Sequence, residues 1–271
     1  MTERRWRIAS ASVIGTSHLK QGTVCQDSHA CRLLVDADGR TVAVLVASDG
    51  AGSAPRAAEG SLLACRIIQE AVEDYLAQGG RVAGIDVGTA RSWVKQVTEG
   101  IALRAAEQGE IPRDYACTLL AAIIGEDAAA SLQIGDGAIV VSDQPEEWSW
   151  VYWPQHGEFA NTTNFVTENE VADRLEFGLA MQSIDEVALF TDGIERLVLH
   201  FASKTVHAPF FDKMLVPVRA LGNDGISAEL SRELEKYLSS QAVCERTDDD
   251  KTLILATRRP RHEAESKSER M

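Results

Sequence analysis

The 271-residue chain is short of thiols, aromatics and prolines, and it has no long apolar run. Its five cysteines (Cys25, Cys31, Cys65, Cys117 and Cys244) are odd in number and form no C-x-x-C pair. That argues against a disulfide framework and against a thiolate zinc site. No stretch approaches the roughly 18 apolar residues of a membrane span, and MTERRWRIAS lacks the apolar core of a secretory signal. Cytoplasm is the expected compartment. Positive charge is also scarce. The 27 Lys and Arg face 41 Asp and Glu, for a net −14, so neither nucleic acid nor an anionic membrane is an expected partner. A surplus of carboxylates does suit a hard cation.

Several phosphate-handling mechanisms are missing as well. A cysteine phosphatase needs C-x₅-R, yet the residues six places after the cysteines are Cys31, Ala37, Ala71, Ile123 and Asp250. The D-x-D at Asp36-Ala37-Asp38-Gly39-Arg40 sits in a hairpin and has arginine where an aspartyl-phosphate enzyme has Thr or Val. There is no G-x-x-x-x-G-K-S/T and no H-E-x-x-H.

What is present is a set of apolar runs that end on acids. Thr41 to Gly52, TVAVLVASDGAG, reads as a buried strand delivering Asp49 at its end, with glycines that let backbone carbonyls approach a ligand. Asp136-Gly137 and Asp192-Gly193 likewise follow apolar strands, and Asp249 precedes the final one, Thr252 to Ala256. Asp27 stands at the entry of a strand near His29–Val35. It lies at the opposite end from Asp49 of what read as paired strands, joined through the turn at 36–39. Carboxylates and carbonyls are the donors that Mg²⁺ and Mn²⁺ prefer.

Around these motifs, residues 6–18 read as a strand running into a loop at 19–27. Helical spacing begins at Ala54, with Ser53 as N-cap, and recurs over 89–108. Further strands are expected at 117–124, 128–134, 138–141 and 148–153. Residues 154–185 read as an irregular excursion, and helical patterns follow near 193–201, 208–221 and 225–239. No linker divides the chain, so one α+β layered domain is expected over 1–257. Residues 258–271, RRPRHEAESKSERM, read as a disordered charged tail.

The ordered motif set resembles the metal-dependent protein phosphatases (PPM, type 2C) over nearly the whole chain to about residue 257. CQD at 25–27 is similar to that family's N-(E/Q)-D and SDGAG at 48–52 to its D-G-x-G. Thr118 in ACTLLAAII resembles its G-S-T strand. IGDG at 134–137, TDG at 191–193 and DDKT at 249–252 are similar to its V-G-D-S, S-D-G and D-N-x-T.

The resemblance implies an α-β-β-α sandwich of two packed, mainly antiparallel sheets, with a binuclear Mg²⁺ or Mn²⁺ site in its central cleft. It implies that Asp49 bridges two ions and that the Gly50 carbonyl ligates one of them. It implies that Asp192 and Asp249 complete the ligand set of the second ion, that Asp27 orients the nucleophilic water, and that Asp136 serves a third, looser position. The implied substrate is a phosphoserine or phosphothreonine protein, opposed to a cognate kinase.

Departures from the family pattern are also visible. The family's phosphate-gripping arginine falls at Gly22, leaving Lys20 and His18 as cationic candidates in that loop. Gly137-Ala138 stand in place of Ser-Arg, Asp250 replaces Asn, and Asp248 adds an acid. Residues 154–185 fall where the family carries a flap, with Glu158, Asn161 and Thr163 as polar candidates for contact. A catalytically weak regulatory or binding module of this family is the alternative to an active enzyme.

Overall fold

The protein is described by a computed structural model covering residues 5–144, 147–155, 163–168 and 170–259. The elements follow one another as β1 (Arg7–Val13), α1 (Thr16–Gln21), β2 (Ser28–Val35), β3 (Thr41–Ser48), α2 (Ala57–Ala77) and α3 (Val87–Gln108). Then come β4 (Leu119–Ile124), β5 (Ala129–Ile134), β6 (Ala138–Gln144), β7 (Glu147–Trp150), β8 (Glu176–Ala180) and β9 (Glu186–Phe190). The last part holds α4 (Asp192–Val198), β10 (Leu199–His200), β11 (Thr205–Val206), α5 (Ala208–Arg219), β12 (Gly225–Ile226), α6 (Ala228–Leu238), α7 (Gln241–Cys244) and β13 (Lys251–Thr257).

Two sheets carry the fold. One has the order β2-β3-β4-β5-β8 and is antiparallel throughout; the other, β12-β1-β13-β9-β6-β7, is antiparallel except where β12 joins β1. β3 shows why its sequence is apolar without alternation. Ala43, Leu45 and Ala47 point into the seam between the sheets, against Leu120, Ile139, Leu189 and Ile254. Val42, Val44 and Val46 point the other way, onto Ile68 and Val72 of α2 and Val94 and Val97 of α3. A strand buried on both faces has no polar period to show. On the far side Phe211, Leu215 and Leu234 of α5 and α6 cover Ala9, Ala11, Leu253 and Leu255. The layers are therefore α-β-β-α, as expected. Among the described residues, no helix is long and apolar enough to cross a membrane.

Several local expectations change. The loop after β1 contains α1, closed by Gly22 at φ +70. α2 starts at Ala57 and not at Ala54, with Arg56 instead of Ser53 at the N-cap position, because residues 51–57 form successive turns tied to Asp114 through Arg56 N. The excursion at 154–185 includes β8, which extends the first sheet by pairing Gln133 with Glu176. The helix after Asp192 stops at Val198 and gives way to the β10–β11 ribbon. Residues 225–226 pair with β1, and the following helix begins only after the Ser227 hydroxyl caps Leu230 N at 3.2 Å. Arg258, expected in the tail, is 4% exposed. It donates to Gly125 O at 2.7 Å and stacks over Trp6. Residues 260–271 lie outside the described residues.

Candidate metal centre

The register of β2 and β3 builds the first half of the site. Ser28 faces Ser48 across an antiparallel pair, so Asp27 and Asp49 flank the same end of the hairpin and meet. The expectation that they occupy opposite ends is corrected by that pairing. β4 then fixes the Asp49 backbone from its other side. Asp49 N donates to Thr118 Oγ1 at 2.9 Å, and Thr118 N donates to Asp49 O at 2.8 Å.

Gly50 bridges to Cys117, and the bonds around that pair run from Thr118 N to Asp49 O and from Ala51 N to Ala116 O. Alternation along an extended backbone therefore aims the Gly50 carbonyl away from Cys117. A Cβ at Gly50 would lie 2.7 Å from Gln26 O and 2.8 Å from the Ala57 backbone, so only glycine fits.

The other half arrives from crossovers. Asp136 sits between Gly135 (φ +94) and Gly137 (φ +82), in the turn that carries the chain from β5 in one sheet to β6 in the other. Positive φ at both flanking positions is what lets so tight a passage form. Asp192 opens α4 directly after β9. The carboxylates of Asp49, Asp136 and Asp192 each bring an oxygen to within 4.8 Å of the others.

Three like charges this close are not self-sufficient. At an effective dielectric of about 20, each pair repels by about 3 kcal/mol, so the trio costs about as much as a whole fold is stable by. Burial, then Asp27, Asp192 and Asp136, push the Asp49 carboxyl well above the usual carboxylate range. Burial, then Asp136 and Asp249, raise Asp192 to about 8. Asp27 rises to about 6 because burial outweighs the hydroxyl bonds from Thr191 and Thr252. Among the described residues its Oδ1 has no donor beside it, since the neighbouring Asp49 carboxylate donates only when protonated. A trio of oxygen donors that must hold either protons or a cation fits Mg²⁺ or Mn²⁺.

Asp249 and Asp250 part company. Asp250 is 2% exposed and accepts from Gly15 N at 2.6 Å and Gln26 N at 2.5 Å. Asp249 is exposed and lies outside the trio, although its charge reaches Asp192. His18 turns inward, with Nδ1 2.9 Å from Asp250 Oδ2, while Lys20 is exposed on α1. Thr163 uses its hydroxyl on Gln155 O at 3.2 Å. Glu158 and Asn161 lie outside the described residues.

Sequence reasoning passed over Glu195, Thr191, Thr252 and Lys251. Glu195 is 3% exposed and accepts from Gly137 N at 2.6 Å, which ties α4 to the turn of Asp136. Burial raises it to about 8, partly opposed by that bond. An acid one turn after Asp192 on a short helix was the available signal. The two threonines sit inside the quoted motifs and hold Asp27. Lys251 is fully buried and donates from Nζ to Asp249 O at 2.8 Å. The cysteines contribute no nucleophile here: all five are free, and burial pushes Cys25, Cys31 and Cys117 up to about 12.

Stacked sheets with helices outside and a carboxylate trio between strand ends define a class of α-β-β-α proteins with a site suited to divalent cations. Comparison with known proteins places the chain within that class. A family profile described as Protein phosphatase 2C matches residues 14–239. The serine/threonine-protein phosphatase 3 of Escherichia coli (strain K12) is 36% identical over 254 residues, 93% of this chain and 98% of that one. The crystal structure of the serine/threonine phosphatase Stp1 from Staphylococcus aureus superposes with a TM-score of 0.57 at 15% identity, covering 92% of this chain and 94% of that one. The catalytic domain of the serine threonine protein phosphatase PstP, solved in complex with two manganese ions, gives 0.55 at 16% identity, with 93% and 98% covered. The chain belongs to the protein phosphatase 2C family.

Proposed function

We propose that this protein is a metal-dependent protein serine/threonine phosphatase that uses two divalent cations, Mg²⁺ or Mn²⁺. The observation that carries the reading is the convergence of Asp49, Asp136 and Asp192 from three separate strand ends. Support for the activity comes from the relative at 36% identity, named a serine/threonine-protein phosphatase. The manganese-bound PstP domain shares the fold and supports an ion count of two.

Asp49, Asp136 and Asp192 would hold the cations, with Asp249 and the Gly50 carbonyl completing the set. Bound there, divalent cations acidify a water and neutralise charge on the phosphate oxygens. The protein's own part is orientation. Asp27 presents Oδ1 toward Asp49 as an acceptor for the attacking water's proton. Thr118 fixes the backbone of Asp49, and Glu195 fixes the turn of Asp136. Lys20 is the remaining cationic candidate in the loop after β1 for the substrate phosphate, because His18 is engaged with Asp250. The five free thiols suit a reducing compartment. In the cytoplasm the enzyme opposes a serine/threonine kinase.

The test is hydrolysis of p-nitrophenyl phosphate and of a phosphothreonine peptide with Mn²⁺, with EDTA, and with Asp49→Asn. The expected result is turnover that EDTA abolishes and that Asp49→Asn reduces by about 100-fold or more, the scale on which a lost electrostatic group acts. No metal-dependent turnover by the wild type on either substrate would instead favour a binding or regulatory module.

A further inference from the structure

Asp27 is held from the opposite sheet. Its Oδ2 accepts from Thr191 Oγ1 at 2.7 Å and from Thr252 Oγ1 at 2.8 Å. Thr252 Oγ1 is 2.6 Å from Ser12 Oγ, and Ser12 Oγ is 2.8 Å from His29 Nδ1. Ser12 and Thr252 face each other across β1 and β13, while Asp27 and His29 stand two residues apart on one side of β2. The contacts therefore run as a train, His29–Ser12–Thr252–Asp27, that leaves one sheet, crosses the other and returns.

Counting protons gives the train a direction. An ionised carboxylate only accepts, and a hydroxyl has a single proton to give. Thr252 gives its proton to Asp27, so the Ser12–Thr252 contact must use the proton of Ser12. Ser12 then has none left for His29, and the contact there requires a proton on Nδ1. A train that ends on a committed ring N–H prevents the two hydroxyls from rotating into the reverse order.

We propose that Ser12, Thr252 and His29 are positioning residues for Asp27. Together they fix the plane of its carboxylate so that Oδ2 stays engaged and Oδ1 stays aimed at the catalytic centre. This rests on the reading of Asp27 as the acid that orients the attacking water. A buried polar clasp between two sheets would show the same distances, so the test must separate orientation from mere cohesion.

The experiment combines ¹⁵N spectra of the histidine rings in the Mg²⁺-loaded full chain with kinetics on p-nitrophenyl phosphate. In the wild type, His29 is expected to carry its proton on Nδ1; a bare Nδ1 with the proton on Nε2 overturns the proposed direction. Ser12→Ala is expected to release that tautomer and to lower kcat by about tenfold or more with KM little changed, the scale on which outer-shell partners act. Ser12→Thr is expected to restore both the spectrum and kcat. A folded Ser12→Ala protein with wild-type kcat overturns the positioning role. Should Ser12→Ala not fold, His29→Leu removes the terminal donor and carries the same kinetic test. A wild type without metal-dependent turnover overturns the phosphatase reading by itself, and the direction of the train is still decided by the spectrum.

Discussion

Asp249 and Asp250 are adjacent in sequence and have different work. Asp250 is buried and accepts two backbone N–H bonds while touching His18, so it holds the loop before β2 against the loop before β13. Removing one partner of such a buried arrangement typically costs about 3–5 kcal/mol. Asp250→Ala is therefore expected to lower the melting temperature sharply, as read by thermal denaturation. Asp249→Ala, at an exposed position, is expected to leave melting nearly unchanged and to raise the Mn²⁺ concentration needed for half-maximal activity. DDKT names the motif without saying which acid faces inward, because that depends on a one-residue register at the start of β13. The phosphate grip is similar. Lys20 and His18 were both legible as cations, but only packing shows His18 turned toward Asp250. Lys20→Ala is expected to raise KM for p-nitrophenyl phosphate more than it lowers kcat, which steady-state kinetics will show. Unchanged kinetics remove Lys20 from the site.

Strands ending in acids and helices at 3.6-residue spacing were legible because both leave a repeating signal in the sequence. β3, α2 and α3 fall where that signal is strongest. β8 was not legible, because Phe177 and Leu179 alternate with Gly178 over too few residues to stand out within the excursion. The meeting of Asp27 and Asp49 was missed for a different reason: it follows from the antiparallel sense of a pairing, and neither strand records that sense alone. The crossovers are where the fold is least tolerant. A Cβ on Gly193 would lie 1.8 Å from Asp250 O, backbone against backbone, where α4 passes the start of β13. Gly193→Ala is expected to cost at least the upper part of the roughly 1–3 kcal/mol typical of overpacking, measured by denaturant unfolding. The same substitution at Gly52, where a Cβ meets nothing within 4 Å, serves as the tolerated control.

At the scale of the whole molecule, the acid cluster couples stability, pH and metal. Asp192 and Glu195 rise in the folded state to about 8, mainly through burial. The folded metal-free protein thus holds protons that the unfolded chain releases at lower pH. Groups raised in this way contribute stability that is fully present below the unfolded carboxylate range and is lost as pH climbs through about 8. The melting temperature of metal-free protein is expected to fall from about pH 6 to about pH 8.5, and Mn²⁺ is expected to flatten or reverse that trend by replacing the protons. The proposed role of the converging Asp49, Asp136 and Asp192 is to hold divalent cations. Anomalous scattering from Mn²⁺-soaked crystals of the full chain tests it most directly. Two manganese peaks sharing the Asp49 carboxylate are expected, with Asp136 and Asp192 among their ligands. Well-ordered acids with no manganese peak at Asp49 would contradict it.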